Sequence, residues 1–418
     1  MKVCYLIPTC GVSGGIAVVC QHTERLKARG YDVTLVVDGV VSAMDWFPGQ
    51  SVPVVALEHY PADVDVLVAT SWATTFRAPL LPARRHCYFV QSDETRFHPT
   101  DSAWEHITRL TYTIGFAYFT EARWIQAWLR GFGHRAALVP NGLDADLFYP
   151  CEPLEPRGAR PRVLLEGAIG LPYKGMFEAF QAVQDLDVDI WCVSSFGTPD
   201  PRWRCERFFS AVPMQDMRRI YSSCDVLLKL SRVEGFFGPP MEMMACGGTV
   251  VVGRVTGYDE YIVDGENALV VDPTDIPGAR QAVARLLSDA DLRARLSANG
   301  RATAARWTWS ASVDRLEQAL AATLAGDAGD LSGQRLAVAR SLAFFYGELR
   351  GIPVLPAQVE QHRPSGAERS ALTADPTEAL LNRLRRQGWF RALARLLLAV
   401  YVRARRGQQL LRQVRRRP

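Results

Sequence analysis

The stretch VLLKLSRVEGFFGPPMEMMACGGTVVV, residues 226–252, sets a strand-length apolar run (226–230), a loop, a helix-length segment and a second apolar run (249–252) in that order. Two short buried strands joined by a helix form a parallel crossover, the unit of an α/β sheet. Pro239 and Pro240 suit the first turn of a helix, where a missing amide hydrogen costs nothing. Gly247 and Gly248 then stop that helix after about two turns. Loop 231–238 therefore leaves the carboxyl end of a strand, the side on which open α/β sheets bind ligands. Glu242 is expected in the first turn of the helix, and Glu234 in the loop that faces it.

The same alternation extends in both directions. Strands are predicted at 2–8, 32–37, 52–57, 66–70, 87–90, 117–119 and 137–140, with a helix over 14–30, which makes one doubly wound unit over residues 1–150. Prolines, a glycine and mixed charges at 149–162 interrupt the pattern as a linker does. A second unit, 151–325, has strands at 162–166, 188–195, 226–230, 249–252 and 268–271 and helices near 175–185 and 214–223. Helical segments at 277–287, 290–305 and 310–325 are expected to close it. A further helix over 333–349 and a loose Pro- and Ser-rich stretch occupy 326–380, and a basic amphipathic tail occupies 381–418. Two α/β units of similar size imply a cleft between them, where ligands sit.

Composition narrows the class. The 418 residues are 48% hydrophobic and 22% charged, an ordinary soluble globular balance. The nine cysteines are scattered without C-x-x-C spacing and read as reduced core residues, and the N-terminus has no signal-like apolar segment. Residues 382–418 hold twelve arginines and no acidic residue, which turns a formal +4 for the whole chain into −8 for the residues before them. Of 48 basic residues only four are lysines: Lys2, Lys27, Lys174 and Lys229. Lys174 and Lys229 both fall beside binding-side loops; either one alone reads as a solvated lysine, and the two together as compact point charges placed for phosphate. The glycines, the helix start and the carboxylates of 231–248 suit a ligand with both phosphates and sugar hydroxyls. The plainer alternative gives Glu242 the helix dipole and Glu234 the solvent.

Residues 225–272 resemble the donor-binding core of the family 4 glycosyltransferases of GT-B fold, whose signature sets Glu, seven residues and Glu within EGFG-P--E-MACG. The resemblance extends in order to GGI (14–16), YFVQSDETRFHP (88–99), VPNGLDADLFYP (139–150) and YKG (173–175), covering about residues 1–325. It implies two Rossmann-like domains, an acceptor-side one (1–150) and a nucleotide-sugar donor one (151–325), facing a central cleft. It also implies hexosyl or deoxyhexosyl transfer from a nucleoside-diphosphate sugar, with retention and without metal or other cofactor. On this resemblance Glu242 binds the ribose hydroxyls and Glu234 faces the donor sugar near its anomeric carbon. The amides of Phe236, Phe237 and Gly238 meet sugar and diphosphate, Lys174 neutralises the leaving diphosphate, and Gly14, Gly15 and Gly167 line the donor site. Three positions depart from the family pattern. The usual Gly-Arg pair is Gly167-Ala168 here, with Lys229 able to supply the charge. Phe237 stands where glycine is common. The strand at 87–90 ends in Gln91, Ser92, Asp93 and Glu94 instead of histidine, so Asp93 and Glu94 become candidates for the acceptor hydroxyl.

Three other readings were weighed. The two D-x-D triplets, 63–65 and 187–189, lead into strands and lie at the end opposite the ligands, which argues against a metal there. Asp38 ends a strand as a dinucleotide-binding acid does, but the glycines run G-x-x-G-G rather than G-x-G-x-x-G. The arginine-rich tail suits an anionic membrane surface better than nucleic acid. The expected protein thus builds cell-surface polysaccharide at the cytoplasmic face of a membrane, as a peripheral enzyme acting on a glycan or lipid-linked acceptor. A GT-B epimerase or hydrolase and a non-catalytic membrane scaffold are the alternatives.

Overall fold

A computed structural model of the protein describes residues 1–156, 158–326 and 331–351. The loose stretch and basic tail expected beyond residue 351 lie outside these residues.

The first domain is a parallel sheet of seven strands: β1 (Lys2–Ile7), β2 (Asp32–Val37), β3 (Val54–Ala56), β4 (Val66–Ala69), β5 (Arg85–Val90), β6 (Ala117–Thr120) and β7 (Ala137–Leu138). The second has six: β8 (Arg162–Glu166), β9 (Asp189–Ser194), β10 (Arg207–Ser210), β11 (Val226–Lys229), β12 (Thr249–Gly253) and β13 (Leu269–Val271). Their orders are β3-β2-β1-β4-β5-β6-β7 and β10-β9-β8-β11-β12-β13. Strand order reverses between β1 and β4 in one sheet and between β8 and β11 in the other. Ligands bind outside the carboxyl ends of strands at such switch points. Central strands such as VCYLI in β1 and VLL in β11 are wholly buried, which is why they read as continuous apolar runs instead of alternating ones.

Among the described strands and α-helices, four escape the sequence reading: β10 and the helices Trp72–Arg77, Ala103–Thr111 and Arg123–Arg130. The three helices are six, nine and eight residues long, too short for a convincing helical period. One placement is corrected. The helix Trp309–Ala325, expected to close the second unit, crosses back. Val313, Leu316 and Leu320 pack with Val3, Tyr5 and Val66 in the core of the first sheet. The helix Leu331–Gly351 follows it onto the other face, where Val338 and Leu342 join the core of Leu6, Leu67 and Tyr88. The chain thus passes between the domains twice, at about 140–160 and about 305–309, and Leu143 N bonds Trp307 O where the two passes meet, 2.8 Å apart.

Candidate active site

The carboxyl ends of both sheets face a cleft of about 600 Å³. Lys229 is the last residue of β11 and Glu166 the last of β8, so the two strands flanking the switch point each end in a charged group. Lys229 Nζ donates to Glu166 O at 2.9 Å. Lys174 ends a 3-10 turn, Pro172–Lys174, ahead of the helix Met176–Val183, where Gly175 in a left-handed conformation turns the chain. Its Nζ reaches across to Glu234 Oε2 at 2.8 Å, while Lys229 lies 3.6 Å from Glu234 Oε1. Burial pushes Glu234 up, but the two ammonium groups outweigh it and hold the carboxyl below its ordinary range. Burial depresses Lys174 despite Glu234, with Lys229 adding to the effect. Glu234 is therefore an anion at neutral pH, and two cations of the second domain converge on it.

A second polar cluster lies deeper. Tyr221, on the helix Met214–Ser223, points its hydroxyl at Glu166 Oε2 and Glu242 Oε2, each at 2.8 Å. Burial pushes both carboxyls up, and the negative field of Glu166 raises Glu242 further. One phenolic hydrogen cannot serve two carboxylates, so the cluster holds an extra proton on one carboxyl. The helix runs Gly238–Ala245, which makes Glu242 its fifth residue, on the second turn rather than the first. Glu242 therefore does not offset the helix dipole, whose field acts within the first turn.

Gly14 and Gly15 open the helix Gly14–Ala28 on the opposite wall, capped by Ser13, whose Oγ accepts from Ile16 N at 3.2 Å. They line the cleft with Gly167, Lys174, Lys229, Glu234, Phe236, Gly238, Glu242 and Glu94. Glu94 accepts from Trp72 N at 2.7 Å and from the hydroxyls of Tyr88 and Tyr112, all on Oε2, and burial raises it to about 7.

Other assignments are corrected. Asp93 does not line the cleft; its Oδ1 caps the turn at Glu94–Phe97 by accepting from Thr95 N at 3.2 Å. The side chain of Phe237 is buried in the core of the second domain, so only its main chain is available to the cleft. The amides of Phe236 and Gly238 are already engaged, the first with Glu121 Oε1 at 2.8 Å and the second with Phe236 O at 3.0 Å. They are not open donors for sugar or phosphate.

Glu166, Tyr221 and Glu121 were missed by sequence reasoning. Glu166 carried a usable signal, being the polar end of an apolar strand at the switch point. Tyr221 lies mid-helix and Glu121 follows a four-residue strand, and neither position marks itself. Glu121 is 4% exposed, accepts from Asn141 Nδ2 at 2.9 Å besides Phe236 N, and is raised to about 7 by burial. Acids of the other readings are ion-paired. Asp65 pairs with Arg84 and Asp187 with Arg160 at the amino ends of their strands, and Asp38 is held by Arg77 at 2.9 Å. Among the described residues no helix is long and apolar enough to cross a membrane.

Comparison with known proteins bears on the fold and on the segment that holds Glu234 and Glu242. The O-antigen biosynthesis protein RfbC of Myxococcus xanthus is 29% identical over 279 residues, 64% of this chain but 21% of that protein. The MMP alpha-(1->4)-mannosyltransferase of Mycolicibacterium hassiacum is 27% identical over 60% of each chain. The crystal structure of the Anabaena protein HepE in complex with UDP and glucose superposes with a TM-score of 0.64 at 15% identity, over 77% of this chain and all of that one. Such likeness carries the fold, which is GT-B: two Rossmann-like α/β domains about a cleft. Residues 206–303, from β10 through Glu234 and Glu242 to the helix Ala290–Ala304, match the model of the family described as Glycosyl transferases group 1.

Proposed function

We propose that the chain is a retaining glycosyltransferase that moves a sugar from a nucleoside-diphosphate sugar to a hydroxyl of a glycan or lipid-linked acceptor in cell-surface polysaccharide synthesis. The observation that carries the reading is the convergence of Lys174 and Lys229 on Glu234 at the switch point, with Glu242 behind them. A diphosphate entering beside Glu234 meets two ammonium groups already in place, so the charge that develops on the leaving group is stabilised without reorganisation. Glu242 offers its carboxyl to the ribose hydroxyls. In the transfer, the bond from the anomeric carbon to the diphosphate oxygen breaks, a bond to the acceptor oxygen forms on the same face, and the acceptor proton passes to the departing phosphate. Glu94, on the wall of the first domain, is the candidate for holding the acceptor hydroxyl. With two lysines serving the diphosphate, the reaction needs no metal, and activity is expected to survive EDTA.

The relatives' roles in O-antigen biosynthesis and mannosyl transfer support a surface-glycan substrate. The arginine-rich segment 382–418 would hold the enzyme on the anionic cytoplasmic face of a membrane. Full-length protein should float with anionic liposomes where residues 1–380 do not, and equal binding by both would remove that part of the proposal. The central test is calorimetric titration of a panel of nucleotide sugars into wild type and Glu242→Ala. One donor should bind wild type and bind the variant at least tenfold more weakly. No binding to wild type, or unchanged binding to the variant, overturns the assignment. Donor consumed without any glycosylated product would favour an epimerase or hydrolase.

A further inference from the structure

The main chain of loop 231–238 is held by the opposite domain. Arg96 donates to Arg232 O at 2.9 Å, Ser92 Oγ to Glu234 O at 3.4 Å and Trp124 Nε1 to Gly235 O at 3.0 Å, while Glu121 Oε1 accepts from Phe236 N at 2.8 Å. Gly235 makes this approach possible, since a Cβ there would run into Gln91 O and the Glu121 carboxylate.

The same segment grips a second place. The helix Arg123–Arg130 starts after Ala122, which has no side-chain oxygen to cap it. The cap comes from the other domain: Trp124 N donates to Glu260 Oε1 at 3.2 Å, and Arg123 Nε pairs with Glu260 Oε2 at 3.0 Å. Arg123 also donates to Glu260 O at 2.9 Å, and the Trp124 ring occupies the space a side chain on Gly257 would need. Glu260 is buried here, with a side chain 6% exposed. A helix whose Trp124 amide is served across a domain boundary has that part of its cap satisfied only when the domains meet.

We propose that residues 121–124 form a latch through which the first domain sets the backbone of loop 232–236, with Glu121 and Glu260 as positioning residues for the Glu234 carboxylate. Glu121 borders the cleft with its carboxylate engaged by Phe236 N and Asn141 Nδ2, and Glu260 lies outside the cleft. Each acts through the loop, so that Glu234 is aligned with Lys174 only in the joined state. The activity part of this proposal rests on the glycosyl-transfer reading; the latch itself does not.

Hydrogen–deuterium exchange of peptides spanning 231–238, read by mass spectrometry, tests the latch directly. In Glu121→Ala and Glu260→Ala, exchange of the Phe236-containing peptide should quicken at least tenfold relative to wild type. Glu121→Gln should restore protection, because a flipped Asn141 amide can accept from the new Nε2 while Oε1 keeps Phe236 N. Turnover should fall about 10- to 100-fold in the alanine variants from misplacement of the reacting group, with donor affinity within about threefold of wild type and the Gln variant recovering most of the loss. Unchanged exchange in both alanine variants, equal loss of donor affinity and turnover, or a Gln variant as impaired as Ala overturns the proposal. Should Glu121→Ala fail to fold, Trp124→Phe keeps the backbone amide on Glu260, removes the bond to Gly235 O together with the part of the indole packed beside Gly257, and must quicken exchange of the same peptide. A wild type that binds no nucleotide sugar defeats the functional reading while leaving the exchange result to decide the latch.

Discussion

Replacing Lys174 with methionine removes one ammonium from Glu234 and keeps most of the apolar stem. Glu234 and Lys174 side chains are only 11% and 22% exposed, so the pair is scarcely screened. Breaking a buried pair from one side costs about 3–5 kcal/mol, because the remaining charge is left without its partner. Lys229 stays 3.6 Å from the other oxygen and returns part of that, so a loss of about 2–4 kcal/mol is expected for Lys174→Met. Glu234→Gln leaves Lys174 with Lys229 as a like-charged neighbour and should also destabilise. The double variant has neither defect and should be more stable than the sum of the single losses by about 2 kcal/mol. Urea denaturation of the four proteins gives the cycle. The pH dependence supplies an independent check on it. Glu234 below its ordinary pKa adds stability above that pKa which is lost on acidification; in Lys174→Met burial dominates, the folded pKa rises, and stability is lost as pH increases through it. Additive losses within about 0.5 kcal/mol, with no change in the pH slope, would refute the coupling. In turnover Lys174→Met should lose about 10²- to 10³-fold, the scale for removing one preorganised charge from a reacting group.

Three further perturbations follow from single groups. Tyr221→Phe takes away the hydroxyl shared by Glu166 and Glu242 and should cost about 1–3 kcal/mol and raise the donor Kd about tenfold, since Glu242 loses the group that orients it; unchanged calorimetric affinity would show that Tyr221 only packs. Glu94, raised to about 7, favours the fold while protonated, so its contribution is full below pH 4.5 and fades as pH rises through 7, by about 3 kcal/mol in all; Glu94→Gln should flatten that part of the stability profile, and parallel profiles would contradict the burial argument. His22 is fully buried among Tyr5, Phe89, Phe119 and Trp309, with neither ring nitrogen hydrogen-bonded, and is pushed down to about 3. The folded state refuses a proton that the unfolded chain accepts below pH 6.5, so stability falls on acidification by about 1.4 kcal/mol per pH unit. His22→Leu should raise stability at pH 7 by about 1–3 kcal/mol and remove that acid slope; a destabilised variant would mean the imidazole is needed for packing.

The positions legible in the sequence are those where backbone chemistry and strand polarity act together. Every central strand was visible because burial on both faces makes it a continuous apolar run, and Lys229, Glu234 and Lys174 were found by asking which residues follow such runs on the ligand side. What escaped was set by tertiary contact. The short helix Arg123–Arg130 takes its cap from Glu260, 137 residues away from Arg123, so no local capping residue announces it. The helix Trp309–Ala325 carries an apolar face that fits either sheet, and only the return of the chain past Leu143 decides which one it covers.

The loop 231–238 exposes the deeper reason for the corrected amides. A glycine-rich turn ahead of a helix start offers the same free backbone groups to a phosphate and to a neighbouring domain, and sequence cannot distinguish the two recipients. Here the domain takes one of those amides, since Glu121 holds Phe236 N, and it fixes the loop further through the carbonyls of Arg232, Glu234 and Gly235, which accept from Arg96, Ser92 and Trp124. With Phe236 N and Gly238 N engaged, Lys174 and Lys229 are the side chains placed to neutralise a diphosphate at this wall. In a chain with four lysines and 44 arginines, two of the four lysines stand there, compact and buried against Glu234. An arginine fork at Lys229 would have to fit a side chain that is 4% exposed between Glu166 O and the Phe237 ring. Lysine, with a single compact ammonium group, fits that buried position.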